Sequence, residues 1–211
     1  MYCRQESILI ERELTNVPLS FLCSNVFIPL RFPCSGSVVV DVGCAPGSWC
    51  QVANEFVNQH KYDNNDDGYV LGIDLQPILP LSGVDLIQLA DVRSPKTHRM
   101  IKERLKDRSV DVVLSDMAPN PSGDKALDHD RIVSLCEELI RLCCDSATNN
   151  DDKPIIPLKR GGTLLCKIWD GQRKSELIEL LKTKFTNVAN IKPNASRDHS
   201  AELYLLARNR K

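Results

Sequence analysis

The sequence predicts an α/β fold, an open and mostly parallel doubly wound sheet of seven strands. Three observations predict it. Short β-branched runs alternate with stretches of helical period over most of the chain. The first run stops at a glycine turn that leads straight into a helix start. Later runs end at or just before Asp74, Asp91 and Asp116, so three acids fall at one edge of the sheet.

Val38–Val42 is the first strand, a β-branched run around Asp41. Gly43 stops it, Pro46 and Gly47 turn the chain, and Ser48 is placed to cap a helix from near Trp49 to about Gln59. The polar stretch Lys61–Gly68 reads as an exposed loop. Tyr69–Asp74 and Val84–Leu89 are the next strands, and Pro95 opens a helix through about Lys106. Val110–Ser115 is the fourth strand. Asp128–Cys144 has Ile132, Leu135, Cys136, Leu139 and Leu142 at helical spacing. Ala147–Arg160 reads as a polar insertion and Gly162–Ile168 as the fifth strand. A helix over Ser175–Phe185 and strands over Val188–Lys192 and Glu202–Ala207 complete the pattern. No helix separates the last two strands, so they are expected to pair antiparallel. Residues 1–36 form an atypical N-terminal segment, with a short helix at Ser7–Leu14, expected to be partly disordered. Residues 37–211 form the domain proper.

A strand, a glycine turn and a helix N-terminus make a nucleotide-type binding corner, because glycine admits close approach and the helix start presents free N–H groups. Gly43 and Gly47 lack the middle glycine of a dinucleotide fingerprint. No phosphate-cradling G-x-x-x-x-G-K-[ST] loop is present either. The corner suits a ligand without a pyrophosphate, such as S-adenosylmethionine. A nicotinamide-dependent oxidoreductase is disfavoured by the same missing glycine and by the lack of a Tyr-x-x-x-Lys pair.

Order along the sheet gives each acid a role. Asp74 is placed to accept from a ribose diol, Asp91 to meet an adenine amino group and Asp116 to approach the reactive end. Lys167 lies inside the apolar run GTLLCKIW, where an unpaired lysine is unusual. Glu202 opens the last strand and is the next candidate.

Composition bounds the rest. With 211 residues, 42% hydrophobic content and a net charge of −1, the chain has core-forming capacity and no global basic signature. No run approaches a membrane span, and Glu6, Glu11 and Glu13 interrupt any transit-peptide pattern. The nine cysteines form no C-x-x-C pair. They read as reduced thiols of an intracellular protein, with Cys44, Cys50, Cys136 and Cys166 in core elements and no metal site expected.

Seven ordered segments, DVGCAPGSWCQVA, LGIDL, LADVRSP, VLSDMAPNPSG, LDHDR, GGTLLCKIW and IKPNASRDHSAELYLLA, resemble the FtsJ/RrmJ ribosomal RNA 2′-O-methyltransferases. The resemblance runs from about Val38 to Ala207 and implies a Rossmann-like, S-adenosylmethionine-dependent methyltransferase with an antiparallel last strand. It places the cofactor loop at Pro46, Gly47, Ser48 and Trp49, and the cofactor-contacting acids at Asp74, Asp91 and Asp116. The family's Lys–Asp–Lys–Glu catalytic tetrad carries over onto Asp116, Lys167 and Glu202. The chain looks closest to the mitochondrial branch. That implies methylation of a uridine of large-subunit ribosomal RNA, within an assembly particle, in the mitochondrial matrix; a cytoplasmic or nuclear location is the alternative.

One feature departs from the family. Its first tetrad lysine lies before the first strand in a segment resembling SRAxxKL, and this chain has no lysine before Lys61. The alternative reading is therefore a catalytically weak RNA-binding or ribosome-assembly factor that keeps the cofactor fold. Arg93, Lys96, Arg99, Arg160, Arg173, Lys174, Lys192 and Arg197 are the candidate RNA phosphate contacts.

Overall fold

Valine on both sides of Asp41 builds β1 (Val38–Val42), which lies in the interior of the sheet and is buried throughout. The structure, a computed structural model, describes residues 35–58, 68–146, 153–192 and 202–211. The other strands are β2 (Tyr69–Ile73), β3 (Val84–Ile87), β4 (Val110–Ser115), β5 (Leu158–Trp169), β6 (Phe185–Ile191) and β7 (Glu202–Arg210). Four helices, α1 (Ser48–Asn58), α2 (Pro95–Leu105), α3 (Lys125–Cys144) and α4 (Lys174–Lys184), lie between them. The sheet order is β3-β2-β1-β4-β5-β7-β6. β1 pairs parallel with β2 and β4, β2 with β3, and β4 with β5. β7 alone runs the other way, antiparallel to both β5 and β6. This is the expected mostly parallel seven-stranded sheet with a reversed last strand.

The strand pleat sends alternate residues to opposite faces. Val38, Val40 and Val42 join the larger apolar cluster with Ile101 of α2, Ile132 of α3 and Leu177 of α4. Val39 faces the other way and packs with Cys50, Val52, Ala53 and Val57 of α1. Asp41 shares the face of Val39, so it lies under α1. Both faces are covered, which is why β1 and β4 read as nearly continuous apolar runs.

Several element ends differ from the sequence reading. β5 begins at Leu158, inside the stretch read as a polar insertion. Ile155, Ile156 and Leu158 are buried and seal the lower end of the core, and Leu158 pairs with Val110. α3 begins at Lys125, because the Asp124 carboxylate caps it by accepting from the Ala126 and Leu127 N–H groups. α1 takes in Ser48, and the Gln51 N–H closes its first turn on the Gly47 carbonyl. β6 starts at Phe185, which pairs with Arg210, so the expected end of α4 belongs to a strand. The expected helix Ser7–Leu14 and the loop residues Arg197 and His199 lie outside the described residues.

Cys44, Cys50, Cys136 and Cys166 are buried free thiols, as expected. Gly72 shows why β2 needs a residue without a side chain there. A Cβ on it would meet Cys44 Sγ and Leu86 Cδ2 at 2.8 Å and Cys50 Sγ at 2.9 Å. Gly72→Val is expected to overpack this contact and cost about 1–3 kcal/mol of stability. Urea unfolding checks this; an unchanged midpoint would contradict the packing described.

Candidate active site

The carboxyl ends of β1, β2, β4 and β5 converge on one cleft, as parallel doubly wound sheets dictate. The cleft has a volume of about 370 Å³, and its lining includes Gly43, Ala45, Asp74, Asp91, Asp116 and Lys167. All three strand-end acids singled out from sequence line it, and so does the candidate lysine.

Gly43 carries the chain over the edge of the sheet. Its φ is +80°, and a Cβ there would meet the Met117 backbone N at 2.9 Å. Its N–H donates to the Ile73 carbonyl at 2.8 Å, which pins the turn to β2. Asp74 fastens the other side of the loop. Its carboxylate accepts from the Ala45 N–H at 2.8 Å and from the Gln76 N–H at 2.7 Å. Asp74 therefore shapes the loop as well as lining the cleft.

The four predicted loop residues divide. Pro46, Ser48 and Trp49 line a small side pocket of about 40 Å³ together with Asp41 and Asp116. Gly47 packs inward, since a Cβ on it would meet Leu81 Cδ1 at 2.6 Å. Ser48 and Trp49 are buried. These residues support the cleft from beneath, while Gly43 and Ala45 form its surface.

At the mouth, Lys167 Nζ lies 2.8 Å from Asp116 Oδ1. The lysine side chain is only 10% exposed, against 38% for the aspartate. A buried ammonium needs such a partner. The Tyr204 hydroxyl donates to the same Asp116 oxygen at 3.0 Å. Lys167 and Tyr204 are directly opposite across β5 and β7, and their side chains share a face. Burial and the Asp116 charge push the Tyr204 hydroxyl well above its ordinary pKa, so it stays a neutral donor. Its ring packs on Trp49, with centroids 5.7 Å apart.

Glu202 lies two register positions further along, opposite Trp169. It lines a separate open groove of about 490 Å³ with Trp169, Asp170, Lys125, Asp128 and His129. The structure brings Asp116 and Lys167 into contact and places Glu202 beside the next groove. His129 ties that groove together. Its Nε2 accepts from the Arg173 N–H at 3.0 Å, so its Nδ1–H donates to the Trp169 carbonyl at 3.1 Å.

Three of the basic residues read as an RNA face, Arg93, Arg173 and Lys174, are paired with nearby carboxylates. Arg93 clamps Asp91, with Nη2 2.7 Å from Oδ2 and Nε 3.0 Å from Oδ1. That guanidinium holds the Asp91 carboxyl below its ordinary pKa. Arg173 pairs with Glu137 and Glu176, and Lys174 with Asp170. Arg160 lies near the start of β5, at the opposite end of that strand from Lys167, and so cannot track a ligand at the cleft. Lys96, Arg99 and Lys192 are exposed.

The sequence reading missed Tyr204 and passed over Asp41. Tyr204 was findable, since period 2 puts it on the face of Glu202 in the same strand. Asp41 is fully buried. The Cys50 thiol donates to its Oδ2 at 3.2 Å, while its Oδ1 has no hydrogen-bond partner among the described residues. Burial raises its carboxyl from 3.8 to about 7, and the charges of Asp116 and Asp74 add to the rise.

The fold is a doubly wound domain with a strand-end cleft that holds a lysine–carboxylate pair. The family model for FtsJ-like methyltransferases matches residues 28–210, and the chain belongs to that family. It is 47% identical over 173 residues to the mitochondrial rRNA methyltransferase 2 of Caenorhabditis elegans, covering 82% of this chain and 74% of that protein. It is 44% identical over 178 residues to the ribosomal RNA large subunit methyltransferase E of Ruegeria pomeroyi, covering 84% and 71%. A crystal structure of a ribosomal RNA methyltransferase from Plasmodium falciparum superposes with a TM-score of 0.64 at 26% identity, covering 83% and 87%.

The Asp41 proton has a sign that can be checked. The native carboxyl holds its proton up to about pH 7, whereas the unfolded one releases it near its ordinary value of 3.8. Wild-type stability therefore falls as pH rises between those values. Asp41→Asn lacks this term, so its stability relative to wild type should improve by about 1–3 kcal/mol from pH 5 to pH 8. Urea titrations at both pH values measure this. A gap that does not change with pH would contradict a buried, proton-holding Asp41.

Proposed function

We propose that this chain transfers a methyl group from S-adenosylmethionine to a ribose 2′-hydroxyl of ribosomal RNA. The target we assign is a uridine of mitochondrial large-subunit ribosomal RNA, reached in the matrix within an assembly particle. The observation that carries the reading is the Lys167–Asp116 pair, 2.8 Å apart at the mouth of the cleft. The relatives named above support the RNA class and, through the nematode protein, the mitochondrial setting.

The cleft fits the cofactor. Its volume of about 370 Å³ suits a nucleoside. Gly43 leaves a close backbone approach, and Asp74 and Asp91 are ionisable acceptors at the ends of successive strand–loop units. Asp74 is assigned to the ribose diol, Asp91 to the adenine end, and Pro46, Gly47, Ser48 and Trp49 to the support of the loop. When bound, S-adenosylmethionine supplies an electrophilic sulfonium methyl for in-line displacement by the 2′-oxygen.

The chain's own residues then set the nucleophile. Lys167, held by Asp116, keeps N–H donors for the ribose oxygen and stabilises the negative charge that grows on it as its proton passes to solvent. Asp116 orients the ammonium and lies beside the side pocket under the cofactor loop. Tyr204 fixes the Asp116 carboxylate and, through Trp49, couples it to that loop. Glu202 belongs to the RNA side, next to the groove between Trp169 and Lys125. The relatives named above are rRNA methyltransferases, which supports an active enzyme over a catalytically weak assembly factor.

The test is methyl incorporation from labelled S-adenosylmethionine into mitochondrial large-subunit ribosomal RNA, free and in particles. Lys167→Ala is expected to lose about 100-fold or more of the rate while binding the cofactor nearly as well. Equal incorporation by wild type and variant would overturn the assignment of Lys167.

A further inference from the structure

The cleft carries more negative charge than its own cations can balance. Asp41, Asp74, Asp91 and Asp116 line it and its side pocket, against Arg93 and Lys167. Arg93 is committed to Asp91 and Lys167 to Asp116. Asp74 and Asp41 have no cation of their own among these lining residues. Asp74 is held by two backbone N–H groups. Asp41 has only the Cys50 thiol on one oxygen, and its other oxygen lacks a partner among the described residues.

We infer that Asp41 exchanges a proton with solvent when the cleft fills: it holds the proton while no cationic ligand is present and gives it up when a cation is seated. This rests on the cofactor reading above and deepens it, because it makes Asp41 a group that senses the charge of the bound nucleoside. The proton leaves to bulk buffer, and no bond other than O–H changes.

The geometry supports this from each side. Cys50 of α1 donates to Asp41, and Cys44 of the loop lies beside Cys50. Asp74 from β2 and Asp116 from β4 raise its proton affinity. Lys167 and Tyr204 are both bonded to Asp116, the nearer carboxylate. Asp41 also lines the side pocket with Pro46, Ser48 and Trp49, so it lies directly beneath the loop assigned to the cofactor. A carboxyl that titrates near neutrality here is poised to respond to one added charge.

Linkage makes the effect reciprocal: a cation that expels the proton binds more tightly when the proton is already gone. S-adenosylmethionine carries a sulfonium and S-adenosylhomocysteine a neutral thioether. The affinity of the first should therefore rise with pH up to about 7 and level off above it, while that of the second changes less. Titration calorimetry of the full chain, at pH 5.5–8.5 in buffers of different ionisation enthalpy, measures both affinity and protons released. Below neutrality the logarithm of the S-adenosylmethionine affinity is expected to approach a slope of about one per pH unit. Asp41→Asn should flatten it and abolish the proton release. Cys50→Ala removes the hydrogen bond that favours the carboxylate and should move the levelling point to higher pH, which tests the idea should Asp41→Asn not fold. Equal slopes for the two nucleosides, an unchanged slope in Asp41→Asn, or an unmoved levelling point in Cys50→Ala would overturn the inference. Binding that ignores pH overturns it alone. Failure of either nucleoside to bind at any pH overturns the cofactor reading with it.

Discussion

The rest of the site depends on the ion pair between Lys167 and Asp116. A lysine near the end of a central strand is costly to bury, and breaking a buried pair costs far more than forming it gains. Two registers hold it. Ser115 of β4 pairs with Cys166 of β5, which brings the next residues, Asp116 and Lys167, side by side. Lys167 pairs with Tyr204 of β7, which brings the hydroxyl onto the same carboxylate oxygen. A one-residue slip in either ladder would send one partner to the opposite face. The reversed strand β7 thus helps to shape this site, because it supplies Tyr204 to Asp116.

The second constraint is electrostatic. The cleft is a row of carboxyl groups at the ends of strands, each fixed by what it touches. Arg93 holds Asp91 charged, two backbone amides donate to Asp74, and Lys167 and Tyr204 both bond Asp116. Only Asp41 is left to burial, and burial makes it the acid that keeps its proton.

Much of this was legible in the sequence because the informative signals are local. The valine run, the Gly43 stop and the spacing of strand-end acids each follow from a few neighbouring residues. Lys167 betrayed itself as a charge in an apolar run. What the sequence hid is set by pairing between distant segments. Arg93 reads as a surface cation and proves to be a clamp on Asp91, two residues away but across a turn. Leu158 reads as part of a polar insertion and is drawn into β5 by Val110. Glu202 reads as a neighbour of Lys167, and the β5–β7 register makes it a diagonal neighbour opposite Trp169, while its side chain also lines the next groove. Asp41 was visible as a charge among valines, but its burial depends on α1 folding over it.

The atom that receives the methyl group defines the reaction. A methyl on a ribose 2′-oxygen blocks that oxygen from attacking the adjacent phosphodiester, so alkali cannot cleave there. Ribosomal RNA labelled by this chain from radioactive S-adenosylmethionine should therefore yield its label, after complete alkaline hydrolysis, in a resistant dinucleotide. Label recovered in mononucleotides would mean a methylated base, and would contradict a site built to stabilise a ribose oxygen.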